Sequence, residues 1–161
     1  MSKLTVIAEP GKQEIVITRM FDAPRELLFT VMTDPQHVPH WWGPRGMTTI
    51  VDKMDVRHGG VWRFVHRTPD GEESGFRGVY HRVAPNEQIV QTFEWEGMPG
   101  HISLETMTLE DDNGRTRLRA VAVYQSIADR DGMLGSGMEG GMAETYDRLE
   151  ELAAELLRVA V

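Results

Sequence analysis

The chain has 161 residues, of which 40% are hydrophobic and 26% charged, with a formal net charge of -8 and no cysteine. The acidic balance argues against a nucleic-acid surface, because phosphate contacts need clustered Lys and Arg. A chain without cysteine has no disulfide framework, thiol nucleophile or zinc–thiolate site. No apolar run approaches the roughly 20 residues of a membrane span, and the N-terminus lacks the basic-then-apolar signature of a signal peptide, so we expect one cytoplasmic domain over residues 1–161.

The first elements are a strand and a short helix. Glu14–Met20 is rich in β-branched and apolar residues, which predicts the strand. Asp22 is predicted to cap the helix that follows, with Pro24 in its first turn, where the missing N–H costs nothing. The helix gains an apolar side from Leu27, Leu28, Val31 and Met32.

A second cap-plus-proline pattern follows directly. Asp34-Pro35 predicts another short helix, which reaches Trp41-Trp42 and ends at Gly43-Pro44.

From about Thr48 to Tyr124 the pattern changes to short β-rich runs separated by turns. Asp-Gly and Asn-Gly tolerate positive φ and therefore suit tight hairpins. We expect six sequential antiparallel strands, with turns at Gly59-Gly60, Asp70-Gly71, Pro85-Asn86, Met98-Pro99-Gly100 and Asn113-Gly114.

The last third of the chain is predicted to be one long amphipathic helix. Ser126 followed by Asp129 resembles a capping box, so the helix can begin there, although several glycines weaken its first turns. Steps of four and three residues place the following side chains on one apolar stripe: Met138, Met142, Thr145, Leu149, Leu152 and Leu156.

This order of elements predicts an α+β fold in which a strongly curved antiparallel sheet wraps around the C-terminal helix, with two short helices after the first strand. A helix with one apolar stripe must bury that stripe against the sheet, and a twisted sheet can leave space beneath it.

The motifs also resemble those of the START-like superfamily, and within it the family of the activator of Hsp90 ATPase. The resemblance spans about Ile15 to Leu157. It implies a helix-grip fold with a cavity between sheet and helix, in a superfamily that includes hydrophobic-ligand carriers, polyketide cyclases and chaperone activators. The motifs are Phe21-Asp22-Ala23-Pro24, Thr33-Asp34-Pro35, Trp41-Trp42-Gly43-Pro44, Gly59-Gly60-Val61-Trp62-Arg63, Asp70-Gly71 and Gly78-Val79-Tyr80.

Aromatic side chains are the first candidates for lining such a pocket. Trp41 and Trp42 can form its wall or lid, or they can plug one end of the core. Strand alternation places Trp62, Phe64 and His66 on one face, but it does not say whether that face is buried. For His66 we favour a solvated hairpin end beside Asp70-Gly71 over a place in the cavity. Tyr80 and Trp95 complete the aromatic candidates.

The strand Arg117–Tyr124 and the long helix supply the remaining candidates. Ala120, Ala122 and Tyr124 share one face, and the two small residues would leave room rather than fill it. Met138 and Met142 can form an adaptable wall opposite them, although a methionine stripe is also typical of an ordinary core.

No catalytic residue is assigned. Glu105 would be an acid or base if it were buried, because burial raises the pKa of a carboxyl, but we favour a solvated strand carboxylate. Three more polar side chains receive the same interpretation: Tyr80, Glu94 and His101.

Two motifs are set aside. His37-x-x-His40 has one-turn spacing, but Pro35 and Pro39 interrupt the helix and no supporting carboxylate follows, so we expect no metal. Gly135 to Gly140 matches G-x-G-x-x-G, yet no second parallel strand follows, so we expect no dinucleotide cofactor. The glycines would instead let the helix approach the sheet closely or flex at a pocket mouth.

The function that we favour is the binding of a small hydrophobic molecule without catalysis. The first alternative is an enzyme of the cyclase, lyase or hydrolase type, which uses polar groups in the same cavity. The second is a chaperone-associated interaction module of the stress response, which we rank last because the separate N-terminal domain of the eukaryotic activator has no counterpart in this sequence. Formation of a homodimer is left open.

Overall fold

The computed structural model describes residues 2–160 of the chain. Eight strands form one curved, open antiparallel sheet. The strands are β1 (Thr5–Ile7), β2 (Glu14–Phe21), β3 (Thr48–Met54), β4 (Val61–Arg67), β5 (Glu73–Ala84), β6 (Gln88–Trp95), β7 (Ile102–Asp112) and β8 (Arg115–Tyr124). Their order in the sheet is β1-β2-β8-β7-β6-β5-β4-β3, so the six strands predicted over residues 48–124 form a continuous meander.

Three α-helices and one 3-10 helix accompany the sheet. They are α1 (Arg25–Thr33), the 3-10 helix (Val38–His40), α2 (Ile127–Gly135) and α3 (Met138–Val159). The helix-grip architecture that we expected, with a long C-terminal helix, is therefore confirmed.

The long C-terminal helix is shorter than predicted. Ser126 does cap a helix, because its hydroxyl accepts a hydrogen bond from the Asp129 N–H at 3.0 Å, but that helix is α2. The chain breaks at Gly137, whose φ of 82° lies in the left-handed region, and α3 begins one residue later. A residue with a Cβ would be strained at that φ, so the glycine-rich segment separates two helices instead of weakening one.

The two short helices after the first strand also begin differently from the prediction. Pro24 occupies the N-cap of α1 and makes no side-chain cap, whereas Asp22 accepts a hydrogen bond from Arg115 Nε at 2.6 Å. Asp34 Oδ1 accepts from the Gln36 N–H at 2.8 Å, and the predicted second α-helix is reduced to the three-residue 3-10 helix. Pro39 has no N–H to donate, which limits a longer helix here.

A fully buried cluster lies where β2, β7, β8 and α1 meet the middle and C-terminal half of α3. We call this cluster the packed end. Its side chains are between 0% and 1% exposed: Phe21, Leu28, Val31, Leu109, Leu118, Leu149 and Ala153. Of the predicted stripe on α3, Leu149 is fully buried here, and Leu152 and Leu156 are partly buried against the same cluster.

Candidate functional site

A cavity of about 330 Å³ lies between the inner face of the sheet and the N-terminal half of α3. We call this half of the interior the cavity end. Of the twelve side chains proposed as pocket lining, eleven line this cavity: Trp41, Trp42, Trp62, Phe64, His66, Tyr80, Ala120, Ala122, Tyr124, Met138 and Met142. The strand alternation on β4 and β8 and the helical stripe on α3 therefore bring their residues to one place.

Trp95 is the exception and has to be corrected. It shares the strand face of Gln91 and Phe93, which do line the cavity, but it is the last residue of β6 and is 42% exposed. Its ring lies over Gly97 in the turn that follows. Alternation gives the correct face of the strand here, but the residue lies beyond the end of the cavity.

The two neighbouring tryptophans have different roles in the packing. Trp41 is 5% exposed, and its Nε1 donates to the Val31 carbonyl at 3.1 Å, which ties the loop after the 3-10 helix to α1. Trp42 packs among the aromatic side chains of the sheet, with its ring 5.0 Å from Phe64 and 5.4 Å from Phe76. The structure therefore combines both interpretations of the pair, a core plug and a wall of the cavity.

His66 lies inside this aromatic group, so the interpretation as a solvated hairpin end is wrong. The residue is 8% exposed, and its ring centroid is 4.8 Å from those of Trp42 and Phe76. Burial, with a smaller contribution from the positive charge of Arg148, lowers the pKa of His66 to about 4. The imidazole is therefore neutral at physiological pH.

The end of the His66 ring packs against the loop that carries Trp42. A Cβ on Gly43 would lie only 2.4 Å from His66 Nε2, so no larger residue fits there without displacing the imidazole. Nε2 is buried and finds no hydrogen-bond partner within residues 2–160. Arg148 of α3 holds the same loop, since its Nη1 donates to the Gly43 carbonyl at 2.8 Å.

Glu105, the second polar group, belongs to a row of directly paired residues that crosses four strands. Tyr80 pairs with Gln91, Gln91 with Glu105, and Glu105 with Ala122. Cross-strand partners point to the same face, so the hydroxyl, the amide and the carboxyl all face the cavity, which each of these residues lines.

Glu105 is thus not the solvated carboxylate that we favoured. Burial raises its pKa to about 7, and its cross-strand partner Gln91 offsets part of this by favouring the ionised form. The exposed part of its side chain faces the cavity. A carboxyl with a pKa near neutrality can gain or lose a proton at physiological pH.

Three tyrosines share the cavity with Glu105. Burial raises the pKa of Tyr80, Tyr124 and Tyr146 above the ordinary value, so all three are neutral phenols at physiological pH. The charge of Glu105 contributes to the raised pKa of Tyr124 and Tyr146. Neutral phenols near a carboxylate can donate hydrogen bonds to it or to a bound molecule.

The polar groups of the cavity do not meet at one point. The Tyr80 N–H donates to the Gly60 carbonyl, so Gly60 lies at the end of the row that contains Tyr80, Gln91 and Glu105. His66 is six residues further along the chain, which at strand spacing corresponds to roughly 20 Å along β4. His66 and Glu105 therefore line different parts of the same cavity.

Two other polar candidates lie outside the cavity. Glu94 accepts from Arg77 Nε at 2.9 Å and from the Gly100 N–H at 2.6 Å, beside a groove on the outer face of the sheet. His101 is exposed, and its Nδ1 lies 2.9 Å from Asp129 Oδ1. Neither residue can act with Glu105.

Sequence reasoning missed several lining residues. Gln91 and Phe93 could have been found from the period-two alternation of β6, and Tyr146 lies one helical turn after Met142. The glycines of the 135–140 segment were expected to allow close approach of helix and sheet or to flex at a pocket mouth. The first alternative is wrong for Gly135, Gly137 and Gly140, where a Cβ would meet nothing within 4 Å.

Within residues 2–160, no group of three His, Asp or Glu side chains is arranged to hold a metal ion. In the same range, no helix is both long enough and apolar enough to cross a membrane.

Comparisons with known proteins agree with this architecture. The family model described as "Activator of Hsp90 ATPase homolog 1-like protein" matches residues 22–154. No curated protein has a matching sequence.

Several solved structures share the fold. A protein from Rhodobacter sphaeroides is 25% identical with a TM-score of 0.87, and the match covers 95% of this chain and 99% of that one. A protein from Arthrobacter aurescens is 21% identical with a TM-score of 0.86 and coverages of 94% and 91%. DynU16, a protein of the dynemicin biosynthetic locus, is 18% identical with a TM-score of 0.68, and the match covers 87% of this chain and 46% of that one.

Proposed function

We propose that this chain, which belongs to the family of Activator of Hsp90 ATPase homolog 1-like proteins, binds a small hydrophobic molecule between its sheet and α3. Family and helix-grip fold support a ligand-binding or polyketide-cyclase-like module. The observation that carries the more specific proposal is the cavity itself. Its volume of about 330 Å³ lies at the lower end of the range of roughly 300–1,000 Å³ that is typical of small-molecule sites.

The lining of the cavity supports an apolar occupant. Aromatic rings form the wall on β4, methionines form the wall on α3, and Ala120 and Ala122 leave the space between them. Rigid aromatic surfaces provide apolar contact at little cost in conformational entropy, and thioether side chains adapt to irregular shapes.

Filling the cavity tests the proposal directly. Binding of Nile red, a neutral apolar dye, would be titrated by fluorescence, and native mass spectrometry would detect any molecule that co-purifies. We expect saturable binding of one dye per chain. Ala122→Phe places a ring in the cavity and should weaken binding by about tenfold or more.

A matched variant on the other face of the same strand provides the control. Val123 neighbours Ala122 but is 43% exposed, so Val123→Phe adds the same ring outside the cavity. We expect this variant to bind Nile red as the wild type does. An absence of saturable binding to the wild type, or equal binding by both variants, would overturn the proposal.

An enzymatic function is the second candidate, and one observation favours it. Glu105 lines the cavity, and its pKa of about 7 suits a general acid or base. A molecule captured by native mass spectrometry would be incubated with the wild type and with Glu105→Gln. Catalysis predicts that the wild type alone changes the mass or chromatographic retention of that molecule, and an unchanged molecule would count against turnover.

A further inference from the structure

The charges that line the cavity have only one sign in the described part of the chain. No Lys or Arg side chain is among its lining residues. The ionisable groups there are Glu105, His66 and the phenols of Tyr80, Tyr124 and Tyr146. Since burial keeps His66 and the phenols neutral at physiological pH, Glu105 is the group that can carry a charge towards a ligand.

The groups around Glu105 are neutral on every element that faces it. Gln91 pairs with it on β6 and Ala122 on β8, and Tyr124 of β8 and Tyr146 of α3 line the same cavity. The Arg19 guanidinium of β2 lies towards the packed end and is not among the lining residues: Arg19 pairs with Leu118, and its Cζ lies 4.9 Å from the centroid of the Phe21 ring. Its Nη1 donates to Asp147 Oδ1 at 2.8 Å, while its Nε and Nη2 are buried without a hydrogen-bond partner within residues 2–160.

We propose that the cavity selects an apolar molecule whose polar end is a hydrogen-bond donor, above all a protonated amine, bound at Glu105, and that it rejects apolar carboxylates such as fatty acids. The inference rests on the proposed binding function and specifies its ligand class. A carboxylate at this position would bring a second negative charge beside Glu105, and no lining residue supplies a cation to pair with it, so its burial is costly. An ammonium group would instead form a charge-assisted hydrogen bond with Glu105.

The same geometry predicts a pH dependence for the amine. Burial raises the pKa of Glu105 to about 7, so the carboxyl is largely protonated below that pH. The attraction for an ammonium group should therefore strengthen as the pH rises from about 5 to about 8. An uncharged alcohol should show little of this dependence.

Three probes with one common tail test the proposal. Decylamine, 1-decanol and decanoate would be titrated by calorimetry at about pH 8, where the amine is protonated and Glu105 is mainly ionised. We expect decylamine to bind most tightly, 1-decanol next and decanoate least. The affinities of amine and carboxylate should differ by about tenfold to a hundredfold, as for a buried charged hydrogen bond.

Two substitutions on β7 assign the preference to one carboxyl. Glu105→Gln removes the charge with little change of shape and should reduce the amine preference to less than about threefold. Glu110→Gln makes the same change at an exposed position of the same strand and should leave the preference intact. Binding at one site per chain, lost in Ala122→Phe, separates cavity binding from attraction of the amine to the acidic surface.

The outcomes distinguish this inference from the function on which it rests. If no probe binds saturably, the proposed binding function fails. If the probes bind in the cavity but decanoate equals or exceeds decylamine, the ligand class is wrong while the binding function stands. An amine preference that survives Glu105→Gln would equally overturn the role of this carboxyl.

Discussion

The packed end and the cavity end share the same strand and the same helix, yet one is solid and the other hollow. On β8, Leu118 is fully buried, whereas Ala122, four residues further on the same face, lines the cavity. On α3, Leu149 is fully buried, whereas Met142, two turns earlier, lines the cavity. On β8 the smaller side chain accompanies the open part of the interior, whereas Met142 and Leu149 are similar in size, so on α3 the position along the helix separates the two ends.

This openness has a thermodynamic consequence. Unfilled apolar volume costs roughly 24 cal/mol per Å³ in core-truncation experiments, so a large dry hollow is costly against a total stability of about 5–15 kcal/mol. A protein selected only for stability would fill it with larger side chains. The small residues Ala120 and Ala122 therefore support the proposed binding function, and the packed end supplies the stability of the fold.

Truncating one side chain at each end should have different costs if only the packed end is solid. Leu149→Ala should lower the free energy of unfolding by about 3 to 5 kcal/mol, because it removes fully buried contacts and leaves a new void. Met142→Ala should lower it by about 1 kcal/mol, because this side chain is partly buried and already borders open space. Urea denaturation followed by circular dichroism measures both values.

Unchanged m-values in the two variants would show that only stability has changed. If Met142→Ala proved as costly as Leu149→Ala, the cavity end would have to be as tightly packed as the rest of the core, and the binding proposal would lose its main support.

The ionisable groups of the cavity end should make the stability of the protein depend on pH. The folded-state pKa of Glu105 is about 7, above its ordinary 4.5, so the folded protein binds more protons between these values and stability is lost as the pH rises through them. Glu105→Gln removes that loss. Its free energy of unfolding should equal that of the wild type near pH 4.5 and exceed it by about 2 to 3 kcal/mol near pH 8.

His66 has the opposite sign. Its folded-state pKa of about 4 lies below the ordinary 6.5, so the unfolded state binds more protons in this window and stability is lost as the pH falls through it. The free energy of unfolding of Glu105→Gln should therefore rise as the pH increases from about 4 to about 6.5. Glu110→Gln is the control, and a profile of Glu105→Gln parallel to that of the wild type would show that this carboxyl is not buried.

Most of the fold was predictable because its signals are local. Turn residues correctly predicted where the strands β3 to β8 are separated, and the apolar stripe identified the buried side of α3. The break at Gly137 was not predicted, because several glycines lie close together and the sequence does not show which of them ends the helix. Only the backbone shows that Gly137 adopts a positive φ.

The site was predictable only in part, for a different reason. Alternation grouped Trp62, Phe64 and His66 correctly but could not say which face of β4 is buried, so His66 was assigned to solvent. Glu105 was misassigned in the same way. Both are polar residues on inward faces, where the usual preference of polar side chains for water gives the wrong answer. Pairing across strands, which sequence alone does not supply, aligns Glu105 with Gln91 and Tyr80.

The smallest effect that we predict concerns the contact between α3 and the loop over His66. Arg148→Met removes the charge that helps to keep the pKa of His66 low, but burial, the larger cause, remains. The pKa of His66 should therefore rise from about 4 by less than about one unit, as measured by NMR titration of the imidazole. Arg148→Lys keeps the charge but loses the two-armed donation to the Gly43 and Pro39 carbonyls. A rise in the pKa of His66 in Arg148→Met alone would assign the effect to charge. A rise in both variants would mean that the loop has loosened and admitted water. No rise in either variant would contradict the coupling of α3 to the cavity end.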